Sequence, residues 1–103
     1  MARNRLFDDI ARTAVEVETN RRIKLAVWAY AYEFADDSIV PDEVFDHECR
    51  MVDLTINTGR PDLDAWFRKE FNPSTGVWIH KHPELNRVKD LYFKYYRNVT
   101  RAG

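Results

Sequence analysis

At 103 residues, 45% of them hydrophobic and 14% aromatic, the chain has the size of one domain and enough apolar matter for a core. Three Gly and four Pro argue against an all-β or a disordered chain. A formal net charge of −1 excludes a global field that would draw it to nucleic acid or membrane.

The first segment reads as helix from about Asn4 to Glu18, with Phe7, Ile10, Ala14 and Val17 at helical spacing. Thr19-Asn20 is a weak break, since both residues cap and neither forms helix strongly. A second run, Arg21 to Ala35, carries Ile23, Val27, Tyr30 and Phe34 on one stripe and Leu25, Trp28 and Tyr32 on the next. Whether residues 4–35 form one helix or two stays open. Asp36-Asp37-Ser38 ends the run, because carboxylates at a helix C-terminus oppose its dipole.

Pro41 opens a third helix, with Asp42 and Glu43 suited to its positive end. Phe45, Cys49, Val52 and Ile56 form its apolar stripe, and Asn57-Thr58-Gly59 ends it. A shorter helix runs from about Asp62 to Phe71, burying Leu63, Trp66, Phe67 and Phe71. Asn72-Pro73-Ser74-Thr75-Gly76 is the clearest turn, and Val77 to His80 is an extended or irregular link. Pro83 opens the last helix, with Leu85, Val88, Tyr92, Tyr95 and Val99 on one stripe. The expected architecture is all-α: one domain, a small bundle of four to five helices.

Charge is unevenly placed. Residues 1–79 hold 10 Lys/Arg and 15 Asp/Glu, whereas residues 80–103 hold 6 and 2. The plain reading is a solvated basic face on the last helix. The sharper one is a weak nucleic-acid or acidic-partner patch of Lys81, Arg87, Lys89, Lys94, Arg97 and Arg101. The lone Cys49 cannot form an internal disulfide, no signal peptide is visible, and no stretch approaches the roughly 20 apolar residues of a membrane span. These point to a cytoplasmic protein without membrane partners. Asn98-Val99-Thr100 matches a glycosylation sequon, which has no meaning there.

Catalytic signals are absent. Ser38, Ser74, Thr75 and the histidines form no nucleophile set, and there is no Gly-rich phosphate loop. His80 and His82 with Cys49 or His47 fit no common zinc spacing, so no metal is expected. The informative stretch is Tyr30 to Asp46. It joins an aromatic helix end, a short acidic turn and a new helix carrying Phe45-Asp46, so that two aromatic side chains and two carboxylates can converge on one small space. Asp42 and Asp46 share a helix face at i,i+4. An aromatic face attracts a cationic ring by ~0.5–2 kcal/mol, and a carboxylate accepts amide or hydroxyl protons.

Residues 30–46 resemble the small N-terminal Ia domain of bacterial NAD-dependent DNA ligases. That family carries Tyr-x-Tyr-His, a turn with Asp, Ile-Ser-Asp or Ile-Pro-Asp, and then Tyr-Asp. Tyr30, Tyr32, Asp36, Val40-Pro41-Asp42 and Phe45-Asp46 fall on it without a gap. The pattern extends over about 15–57, leaving a C-terminal helical extension at about 60–100. His82-Pro83-Glu84-Leu85 also looks like a tetrapeptide of that domain, displaced downstream.

The resemblance implies a domain that closes over the nicotinamide mononucleotide (NMN) half of NAD. It implies Tyr32 and Phe45 as the ring-stacking pair and Asp42 and Asp46 as polar contacts. Tyr30, Glu33 and Asp36 are secondary, with Tyr30 and Phe34 read as core. Two departures stand out: the family's histidine is Glu33 here, and its later tyrosine is Phe45. Glu33 repels a phosphate that a histidine would hold, unless Arg21, Arg22 or Lys24 compensates. No Lys-x-Asp-Gly nucleophile motif is present, so ligation is not expected. The chain looks like the short ligase-related proteins that bacteriophages encode, which implies the host cytoplasm. Two functions follow: a non-catalytic binder of NMN, NAD or a related nucleotide, or a protein-interaction module facing a host enzyme or defence protein through its basic last helix or Trp78.

Overall fold

The computed structural model describes the backbone of residues 5–97 and the side chains of residues 13–97. Expectations for Phe7, Ile10, Val99, Arg101 and the sequon lie outside the described residues. The elements are α1 (Arg5–Ala35), α2 (Asp42–Met51), α3 (Pro61–Glu70), a 3-10 turn (Val77–Lys81), α4 (Leu85–Leu91) and a π turn (Tyr92–Tyr96). The described residues are all-α, without strands.

α1 is one helix of 31 residues. The weak break at Thr19-Asn20 is overridden because the Thr19 hydroxyl donates back to the Val15 carbonyl (2.7 Å), inside the helix rather than capping a new one. The helix is the spine of the molecule: α2, the 3-10 turn, α4 and the π turn all pack on it. Its buried span is C-terminal. Val17 is exposed, whereas Leu25, Ala26, Val27, Ala29, Tyr30 and Ala31 are buried on almost every side, the pattern of a helix surrounded by protein. Trp78, Ile79, Phe67, Cys49, Val88 and Tyr92 complete the core around it. This core draws on both halves of the chain.

Three boundaries depart from sequence expectation. α2 stops at Met51 rather than near Asn57. Asp53 bonds forward to the amide (3.0 Å) and hydroxyl (2.6 Å) of Thr55, closing a turn. Buried Arg22 captures the carbonyls of Asp53 (2.8 Å) and Ile56 (3.2 Å). Side-chain bonds of this kind compete with helix. Gly59 has the expected left-handed φ (+92°), but in the loop before α3. Residues 77–81, expected as a link, form a 3-10 turn that buries Trp78 and Ile79. The last helix tightens differently. Its Arg97 amide reaches the Tyr92 carbonyl five residues back (2.9 Å). The extra residue rotates the stripe, so Tyr92 is buried and Tyr95 is 58% exposed.

A buried ion network ties α1 to the α2–α3 loop and α3. Arg22 donates to Glu18 (2.8 Å) and to Asp64 (2.9 Å), and all three side chains are almost fully buried. Asp64 also accepts the amide (2.9 Å) and hydroxyl (2.6 Å) of Thr58. Burial pushes the Asp64 carboxyl up, but the Thr58 bonds and Arg22 outweigh it and hold the group below the ordinary aspartate range.

Candidate functional site

The end of α1 is shaped by an aspartate in a glycine's place. Asp36 adopts φ 51°, and the Asp37 amide bonds back to the Ala31 carbonyl (2.9 Å). The left-handed residue turns the chain back on the helix end, and this bond spans one residue more than the six-to-one closure of a Schellman turn. The Tyr92 hydroxyl then donates to the Asp37 carboxylate (2.6 Å), anchoring the turn from the far end of the chain. Pro41 caps α2 with its carbonyl, which accepts the amides of Val44 (3.0 Å) and Phe45 (3.1 Å). Tyr32 on α1 and the first turn of α2 are thereby set on opposite sides of the same loop.

Between them lies a cleft of about 170 Å³. Tyr32, Asp42 and Phe45 line it, with Ser38, Ile39 and Val40 from the loop. Ala29 and Gly76 form the remaining wall. A methyl placed on Gly76 would meet Ala29 Cβ at 3.4 Å and Phe45 Cζ at 3.5 Å, so the glycine leaves this wall recessed. The aromatic ring pairs of the described residues include neither Tyr32 nor Phe45. The Asp42 carboxylate has no hydrogen-bond or ion-pair partner among the described residues. The cleft is thus walled by two rings outside any aromatic pair, Tyr32 exposed and Phe45 packed on the core, and edged by one unpaired carboxylate. Its volume matches one ring: an engineered cavity of about 150 Å³ in another protein takes benzene.

Other expected site residues fall elsewhere. Asp46 is exposed and does not line the cleft. The cleft sits at the N-terminal end of α2, and four residues further along is about 6 Å of rise. Tyr30 is core, stacked on Phe34 at 4.9 Å and tilted against Tyr92 at 5.7 Å. Glu33 is bound to His80 (2.8 Å), tying α1 to the 3-10 turn. Asp36 is exposed and shapes the turn without lining the cleft. The three bases named as compensation are already held: Arg21 by Glu18 and Glu48, Lys24 by Glu48, and Arg22 in the buried network. Trp78, expected as an exposed anchor, is buried against Trp66, Phe67 and Phe71, with its indole N–H unpartnered.

Sequence reasoning missed a larger cleft, about 410 Å³, between α1, α3 and α4. Ile23, Ala26, Leu63, Phe67, Val88 and Leu91 make its apolar walls. Its charged groups are mutually engaged. Arg60 bonds Asp62 (3.1 Å) and Glu84 (2.6 Å), Arg87 approaches Glu84 (3.6 Å), and Arg22 is held as above. His82 accepts the Glu84 amide at Nδ1 (3.0 Å) and packs on Trp66, and burial holds its imidazole below the usual histidine range. No stripe in the sequence announces this hollow, because its walls come from three separate elements.

No protein-family model, curated protein or solved structure matches this chain.

The small cleft offers two aromatic faces, the Asp42 carboxylate and the Ser38 hydroxyl. Cys49 faces the core, and burial pushes its thiol up to about 11, far from a reactive thiolate. Among the described residues no group of three or more His, Cys, Asp or Glu is placed to hold a metal, and no helix is long and apolar enough to cross a membrane.

Proposed function

We propose that this chain is a non-catalytic binding module whose small cleft receives the pyridine ring of a nicotinamide nucleotide, NMN or NAD, as its resemblance to the ligase Ia domain implies. One observation carries the reading: Tyr32, Phe45 and the unpaired Asp42 share a cleft sized for a single ring. The aromatic walls stack on the ring, and a pyridinium is attracted to them. Asp42 and the Ser38 hydroxyl offer acceptors for a carboxamide N–H. The larger cleft is the weaker candidate despite its size, since a polar ligand there would have to break ion pairs already made.

Isothermal titration with NMN and with NAD tests this. Heat at millimolar ligand or below is expected, with Asp42→Ala binding more weakly and Asp46→Ala binding like the parent. No heat with either nucleotide overturns the reading.

A second reading is a protein-interaction module. The exposed Phe93 and Tyr95 on the π turn, each beneath a cation (Arg97 at 5.2 Å, Lys94 at 5.2 Å), favour it. Capture of one specific host protein, lost in the Phe93→Ser, Tyr95→Ser double variant, together with a silent titration, would select it. Weak nucleic-acid binding by the same face would instead fall steeply with salt.

A further inference from the structure

We infer that the small cleft selects a monocyclic aromatic cation that carries no phosphate: an N1-substituted pyridinium such as nicotinamide riboside, in preference to its mononucleotide. This rests on the ring-binding reading above and specifies which ligands of that class it takes.

The argument is electrostatic. The sole charged side chain lining the cleft is Asp42. Residues 30–46, which build most of it, contain six carboxylates (Glu33, Asp36, Asp37, Asp42, Glu43 and Asp46) and no Lys or Arg. Of these, Asp36, Asp42, Glu43 and Asp46 have no hydrogen-bond or ion-pair partner among the described residues. The bases on the nearby part of α1 are withdrawn: Arg21 and Lys24 are tied to Glu48, and Arg22 is buried between Glu18 and Asp64. A phosphate needs cationic or N–H donors converging on it. The N-terminal end of α2 supplies backbone N–H groups, but Asp42 and Glu43 occupy its first turn and use that positive potential.

Size agrees with charge. A cleft of about 170 Å³ holds the ring and leaves the ribose and anything beyond it at the mouth. A phosphate there would lie beside the acidic rim. Aromatic walls, a carboxylate and no base are the recognition set for a flat cation, whose charge both the rings and Asp42 stabilise.

Titration of the full chain with four probes tests this: N1-methylnicotinamide, neutral nicotinamide, nicotinamide riboside and NMN, in low-salt and high-salt buffer. The riboside should bind about tenfold more tightly than NMN at low salt, a gap of ~1.4 kcal/mol. The gap should narrow as salt rises. N1-methylnicotinamide should exceed nicotinamide, and Asp42→Asn should erase that preference. Because Asp42 is exposed and unpaired, this variant keeps the fold. Gly76→Ala provides an independent check. Its backbone (φ −101°) suits any residue, and the added methyl narrows the cleft. It should weaken every ring ligand while the protein melts no lower than the parent.

NMN binding as tightly as the riboside, or nicotinamide as tightly as its N1-methyl cation, overturns the selectivity and leaves the ring-binding reading standing. Silence with all four probes overturns both.

Discussion

The molecule holds two clefts built on opposite logic. The larger one is lined with charges that satisfy one another, Arg22 with Asp64 and Arg60 with Glu84. The smaller one is lined with polar and aromatic groups whose recognition faces are unpaired: an exposed Tyr32, a Phe45 packed on the core outside any ring pair, and a carboxylate without a counter-ion. Volume alone would rank the larger first. Unmet valence ranks the smaller first, because a ligand gains only from interactions the protein has not already made with itself. Charges in the large cleft hold three elements in place; the one charge in the small cleft, Asp42, meets only the N-terminal dipole of α2.

Arg22→Met gives the largest expected effect. It strands the buried Asp64 without its counter-ion, leaves Glu18 with Arg21 alone, and should cost about 3–5 kcal/mol in denaturant unfolding. Adding Glu18→Gln and Asp64→Asn should recover part of the loss. If Arg22→Met unfolds no more easily than the parent, the large cleft's network is not structural and the contrast breaks. Tyr32→Ala is the counterpart in the small cleft. The side chain is 58% exposed, so unfolding should shift by no more than about 0.5 kcal/mol. Ring binding should fall by about tenfold, within the cation–π range. A variant that binds undiminished would remove Tyr32 from the site.

Asp36→Gly should stabilise the protein by about 1 kcal/mol, since a non-glycine residue in the left-handed region carries that much strain. Thermal melting reads this, and ligand affinity should stay unchanged, because Asp36 shapes the turn without lining the cleft. The smallest effect concerns His82. Burial lowers its folded-state pKa below the unfolded value near 6.5. The unfolded chain therefore binds the proton more readily, and stability is complete above about pH 6.5 and declines as pH falls toward the folded pKa. In His82→Gln this decline below pH 6.5 should flatten, while the acid loss caused by Asp64, at lower pH, remains. An unchanged profile would show that His82 does not report on the large cleft.

The helix starts at Pro41 and Pro61 are legible because capping and apolar spacing are local, whereas Gly59 takes its left-handed φ in a loop and not at a helix end. α2 was drawn too long because its stop signal comes from Arg22, thirty residues upstream, which no local pattern contains. Tyr95 was placed in the core because the expected stripe assumed uniform winding, and one extra residue in the π turn changes its phase. The burial of Trp78 is not legible in its own segment, because its partners Trp66, Phe67 and Phe71 come from α3 and the residue that follows it. Tyr32, Asp42 and Phe45 could be placed together from sequence since one turn joins them. Gly76 could not, because it reaches Phe45 only through the packing of residues 77–81 on α1. The large cleft was invisible for the same reason.

The hydrogen bond from Tyr92 to Asp37 spans fifty-five positions. During synthesis α1 and its acidic turn emerge early, but the recessed wall at Gly76 follows much later and the Tyr92 latch later still. The small cleft is therefore completed by the last part of the chain, although most of its lining residues come from the first half. A growing chain carries the motif long before it carries the site.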